Sequence, residues 1–112
     1  MLCLIMNYTV SFYNSSVQKE IYGWPTGIYA KFLRIAEQIE ISGPNLGLPY
    51  TRALGEGLFE IRAKGPEGIG RAFFCCVVNR EVVILHGFIK KTQKTPLKEI
   101  QLARKRLKYI KK

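Results

Sequence analysis

Arg62, Arg71, Lys90, Lys91 and Lys94 are the residues of this chain best suited to chemistry. Each sits on, or directly after, a segment that reads as a β-strand. Arg62 shares the polar side of an alternating segment with Glu60 and Lys64, and Arg71 opens an apolar run. Lys90 and Lys91 follow the apolar stretch 82–89 without a break, with Lys94 just beyond. Cations fixed on a rigid sheet can grip a phosphodiester and stabilise the charge that builds on a phosphorane-like transition state. A 2′-hydroxyl of RNA could then attack its own phosphate. Such a step also needs a base. The candidates are Glu60, a lysine whose pKa is lowered by neighbouring cations, and His86. Lys64, Lys94, Glu60 and His86 are the residues expected to touch the substrate around the four central cations.

Other chemistries lack their parts. The chain has no aspartate and one histidine, which excludes a Ser-His-Asp triad and a two-histidine ribonuclease. It has no G-K-[ST] phosphate loop and no G-x-G-x-x-G leading into a helix. Cys3, Cys75 and Cys76 have no C-x-x-C spacing, so no metal site and no cofactor is implied. Reduced thiols fit a cytosolic protein. His86 also reads as a core histidine within its apolar strand, and Phe73, Phe74, Phe88 and Trp24 read as core rather than base-stacking platforms.

The elements that must position these residues can be read from periodicity. A length of 112 residues, 47% of them hydrophobic, suits one domain with one core. Residues 7–13 alternate as a half-buried strand. Asn14, Ser15 and Ser16 can cap a short helix to about residue 22, and Gly23-Trp24-Pro25 ends it. Ile28, Phe32, Ile35 and Ile39 recur at helical spacing over 26–41. A short strand is expected near residues 50–52. Strands then follow over 58–64, 71–78 and 82–89, joined by close turns that imply an antiparallel meander. Thr95 caps a final helix with Pro96 at its first position and Ile100, Ala103, Leu107 and Ile110 as its apolar stripe. The expected architecture is α+β: a strand and two helices, a curled antiparallel sheet, and a basic C-terminal helix. The helices are expected to cover one sheet face and leave the other as a cation-lined surface.

Charge is concentrated at one end. Residues 90–112 carry ten Lys/Arg and one Glu, or +9, whereas residues 1–89 carry eight and seven, or +1. A basic end of this kind attracts a polyanion, or else serves as a solvated helix face. The apolar start is too short for a membrane span and lacks the cationic flank of a signal peptide. Met6 is an alternative start, with residues 1–5 an upstream extension. No membrane partner is expected.

Several segments together resemble the RelE/HigB toxins of bacterial toxin–antitoxin modules, most closely their phage-derived HigB-like branch. They are the run from Leu54 through Glu60 to Arg62, Gly70-Arg71 followed by Phe73-Phe74, and Ile84 to Pro96 with its G-F-x-K-K-T-Q-K-T-P ending. Glu99, Ala103 and Arg106 continue the likeness. The G-F-x-K-K-T-Q-K-T-P stretch is the specific part, and the likeness spans about residues 6–110. It implies a RelE-like fold and a ribosome-dependent endoribonuclease that cuts mRNA in the A site. It also implies a cognate antitoxin, usually a helix-turn-helix protein encoded next to the toxin. By position, Arg62, Arg71 and Lys91 match the family's phosphate-binding cations, with Lys90 beside them. Some relatives carry a tyrosine near the start of the last helix, where this chain reads Lys94-Thr95-Pro96-Leu97. Related ParE toxins share the fold but inhibit DNA gyrase, so a gyrase inhibitor and a non-catalytic nucleic-acid-binding protein are the alternative readings.

Overall fold

The computed structural model describes residues 7–90 and 96–110. The elements are β1 (Thr9–Phe12), α1 (Ser15–Tyr22), α2 (Thr26–Ser42), β2 (Thr51–Gly55), β3 (Leu58–Gly65), β4 (Gly68–Val77), β5 (Glu81–Lys90) and α3 (Leu97–Ile110). They form an α+β domain around one five-stranded sheet of order β1-β5-β4-β3-β2.

The meander β2-β3-β4-β5 is antiparallel, as the close turns require. The sheet as a whole is mixed, because the N-terminal strand, for which the sequence named no partner, joins the antiparallel meander. β1 pairs parallel with β5, placing Thr9 against Glu81 and Phe12 against Ile84. The chain crosses from β1 through α1 and α2 before it builds the meander, and this long return allows the parallel pairing. β1 spans only four residues, so among the described residues β5 has no strand partner on that side beyond Ile84.

The helix boundaries follow local signals. The Asn14 side chain accepts a hydrogen bond from the Val17 N–H at 2.9 Å and so caps α1. Pro25 offers α2 no side-chain cap. Glu67, in the β3–β4 turn, takes that role by accepting from the Gly27 N–H at 3.0 Å. The turn can approach because Gly65 has no Cβ. An added Cβ would lie 2.7 Å from the Ile28 nitrogen. Gly43 ends α2 at φ +92°, in the left-handed region. α3 begins at Leu97, so Pro96 precedes the helix, and its carbonyl accepts from the Glu99 N–H at 3.1 Å. The expected Thr95 cap lies outside the described residues.

Two apolar clusters fill the two sides of the sheet. One joins Ile21, Trp24, Ile28, Phe32 and Ile39 of the first two helices to Ile61, Phe74 and Ile84. The other joins Leu58, Phe73, Cys75, Leu85 and Phe88 to Ala103 and Leu107 of α3. α3 therefore packs on the face opposite α1 and α2, which corrects the expectation of helices on one face only. Its Ala103 and Leu107 are buried, while Ile100 and Ile110 pack at the margin, so the predicted stripe does face the sheet. Phe73, Phe74, Phe88 and Trp24 are all buried in core. β4 is buried through its middle, as its continuous apolar sequence requires.

Candidate active site

Strand register places three of the predicted cations, Arg62, Arg71 and Lys90, on one surface. Side chains alternate along a strand, so residues two apart share a face. On the face that α3 partly covers, the pairings line up three rows. Arg52, Glu60, Phe73 and His86 form the first row. Arg62, Arg71 and Phe88 form the second, and Lys64, Ile69 and Lys90 the third. α3 packs over the aromatic part of this grid, on Phe73 and Phe88. The β2–β3 side of the grid lines a cavity of about 240 Å³ formed by Leu48, Thr51, Arg52, Glu60, Arg62 and Arg71.

Glu60 is the centre of this corner. It is 2% exposed although it is charged. One carboxylate oxygen accepts from Arg71 Nη1 at 2.6 Å, and the other lies 3.2 Å from Arg52 Nη2. A buried carboxylate must be paired, and here two guanidinium groups pair it. Arg71 is itself only 6% exposed. Arg62 lies directly across from Arg71, a like-charge pairing that a sheet normally avoids. Among the described residues, Arg62 makes no ion pair. The group Arg52, Arg62, Arg71 and Lys90 carries four positive charges against the one negative charge of Glu60, a net +3. The Lys90 ammonium is held below the ordinary lysine range. Burial is the largest cause, followed by repulsion from Arg71 and more weakly from Arg62 and Arg52, with Glu60 opposing.

The remaining sequence candidates divide. Lys64 shares the face but is exposed and lies one row further along. His86 shares the row of Glu60, but Phe73 stands between them, and two strand spacings amount to about 10 Å. Its Nε2 lies 2.5 Å from Glu99 Oε1, and its ring stacks with Phe73 and Phe88. His86 thus joins β5 to α3 and is not part of the cation group. Lys91 and Lys94 lie outside the described residues.

Sequence reasoning gave three contributors no role at the site, although Glu99 and Arg106 were part of the likeness. Arg52 sits across from Glu60 and completes its pairing. The alternation of a short, weak strand gave only a faint sign of it. Glu99 is the partner of His86. Arg106 donates to the Leu85 carbonyl at 2.7 Å and stacks over Tyr13. Leu85 is the extra residue of a bulge in β5, since Phe73 faces His86 while Phe74 faces Ile84. The bulge leaves that carbonyl for α3 to capture. Arg104 adds bonds to the Leu54 and Gly55 carbonyls. Part of the positive charge of α3 therefore anchors the helix.

This α+β fold matches that of solved RelE toxins. The archaeal RelE–RelB complex from Pyrococcus horikoshii OT3 matches with a TM-score of 0.55 at 19% identity, over 75% of this chain and 96% of that one. A mutant of E. coli toxin RelE in the free state matches with a TM-score of 0.59 at 14% identity, over 91% and 99%. At such identities the likeness is one of fold. The profile of the phage-derived protein Gp49-like family, DUF891, matches residues 19–108, and the chain belongs to that family. No curated protein gives a significant match.

Proposed function

We propose that this protein is the toxin of a toxin–antitoxin module and acts as a ribosome-dependent endoribonuclease. The observation that carries the reading is the surplus of cations around Glu60. A purely structural ion pair needs one arginine for one carboxylate. This corner holds Arg52, Arg62, Arg71 and Lys90 for one carboxylate, and it borders an open cavity. The surplus is suited to an anionic ligand whose charge builds from one toward two in its transition state. The RelE fold and the RelE–RelB pairing of a fold relative support the same reading.

The chemistry follows from the geometry. The 2′-oxygen of one nucleotide attacks its 3′-phosphorus, and the P–O5′ bond breaks. The products are a 2′,3′-cyclic phosphate and a free 5′-hydroxyl. Arg62 makes no ion pair among the described residues and binds a non-bridging oxygen. Arg71 binds a second one while Glu60 holds its guanidinium in place. Both Glu60 oxygens are occupied by arginines, which leaves that carboxylate a positioning group rather than the base. Lys90, whose proton is held less tightly than that of an ordinary lysine, accepts the 2′-hydroxyl proton in its neutral form, and water protonates the departing 5′-oxygen. Lys91 and Lys94 follow in the sequence and add charge for the flanking phosphates. The reaction takes place on translated mRNA in the cytoplasm. A cognate antitoxin encoded beside the toxin holds it inactive.

The test is induction in growing cells with equal soluble levels of each protein. Wild type should stop growth and deplete mRNA. Arg62→Ala, Arg71→Ala and Lys91→Ala should each relieve both effects. Full toxicity in all three variants would remove the site assignment.

A further inference from the structure

We propose that the cavity between Leu48 and β3 is the pocket for a nucleotide flanking the scissile phosphate, and that Leu48 helps choose which base it accepts. This inference rests on the ribonuclease reading and adds a specificity residue to it.

Three observations support the assignment. First, the cavity of about 240 Å³ opens directly beside the reacting group, because Arg62 and Arg71 line it together with Arg52 and Thr51. A nucleotide whose phosphate lies on Arg62 and Arg71 must place its sugar and base against whatever walls this space. Second, the walls are of two kinds. Guanidinium planes, which stack on bases and bind phosphate, form one side. Leu48 supplies an aliphatic wall at the rim, and it is 70% exposed. An exposed leucine at the mouth of a cationic cavity contributes little to the core, and it is well placed to pack on the face of an entering base. Third, one of the lining residues carries an unmet donor. The Nε–H of Arg71 is buried and has no hydrogen-bond partner among the described residues. A buried donor without a partner carries a desolvation penalty. An acceptor oxygen that reaches this N–H relieves that penalty.

The pocket is distinct from the larger cavity behind α2. That one is lined by Lys31, Arg34, Ile35, Gln38, Leu46 and Tyr50, among others, and none of the Glu60 group borders it. The backbone carbonyl of Tyr50, which lines that cavity, accepts a hydrogen bond from the Arg62 backbone N–H at 2.9 Å, so the two cavities are neighbours with different walls.

The experiment compares cut-site distributions in a reconstituted translation reaction on an mRNA that presents many codons, read by primer extension. Wild type, Leu48→Ala and Leu48→Trp are compared, with Val78→Ala as a control. Val78 is exposed in the turn that follows β4, at the end of the strand opposite Arg71. The readout is the ratio of cutting between codons within each reaction. General damage to the fold scales all cuts together and leaves that ratio unchanged. A changed apolar wall should shift preferences between codons by about tenfold. Leu48→Trp should narrow the set of sites and Leu48→Ala should broaden it, while Val78→Ala keeps the wild-type pattern. A wild-type pattern in both Leu48 variants overturns the pocket and leaves the ribonuclease reading intact. A wild-type protein that makes no cuts overturns both.

Discussion

Replacing Glu60 by glutamine should destabilise the protein far more than a surface charge change does, and a second change should restore the loss. Glu60→Gln keeps shape and one acceptor oxygen but removes the charge that Arg71 faces at 2.6 Å. Both partners are buried, so the charge of Arg71 is left uncompensated out of water. Removing one partner of a buried pair costs about 3–5 kcal/mol. The oxygen that glutamine retains recovers part of this, so the expected loss is about 2–4 kcal/mol. The Arg52 contact adds at most ~1 kcal/mol, because the Arg52 side chain is 51% exposed and water screens it. At about 4 °C per kcal/mol for a domain of this size, Tm should fall by roughly 8–16 °C. The combined variant Glu60→Leu with Arg71→Met replaces the pair with apolar groups beside Leu58 and Phe73. It also removes the repulsion between Arg71 and Arg62. Its stability should return to within ~1 kcal/mol of wild type, while mRNA cleavage stays lost. Urea denaturation of the three proteins measures all of this. A Glu60→Gln protein within ~0.5 kcal/mol of wild type, or a double variant no better than the single, would refute the reasoning.

Arg62→Ala should behave differently, because Arg62 is half-buried and makes no ion pair among the described residues. Its stability should change little, while single-turnover cleavage should fall about 10²–10³-fold. Cleavage should rise with pH through the lowered pKa of Lys90 and level off above it, and Lys90→Arg should remove that limb from the pH–rate profile. The same shift affects stability. Between the folded and unfolded pKa of Lys90 the unfolded chain binds more protons, so its contribution to stability rises with pH there. Lys90→Met should flatten that slope in denaturation curves taken across alkaline pH. His86→Ala and Glu99→Ala should each cost about 1–2 kcal/mol, and the double variant should cost little more than either, which a denaturation cycle checks.

Most of the local structure is legible in the sequence because its causes are local. The Asn14 cap, the spacing of Ile28, Phe32, Ile35 and Ile39, and the alternation of Phe59, Ile61 and Ala63 each name their element and its buried side. The partner of β1 is not legible, because Thr9 meets Glu81 through a contact that no local pattern encodes. Nor is the side of the sheet on which α3 lands. Its apolar stripe needs an apolar face, and Leu58, Phe73 and Leu85 offer one as readily as Ile61 and Phe74 do. In the candidate site, Arg62, Arg71 and Lys90 were visible as cations on strands. The burial of Glu60 was not, since alternation alone puts it on a polar face. It is buried because Arg71 and Arg52 arrive from two neighbouring strands and neutralise it. His86 was ambiguous for the same reason. Its partner Glu99 lies thirteen residues away, on a helix whose placement the sequence left open.

The measurement that tests the central claim most directly is primer extension on a defined mRNA in a reconstituted translation reaction, with the purified protein added and the new RNA ends analysed chemically. The account predicts cuts within the A-site codon that require ribosomes, leave a 2′,3′-cyclic phosphate, and disappear in Arg62→Ala. Intact mRNA in the presence of folded, growth-inhibiting protein would contradict it.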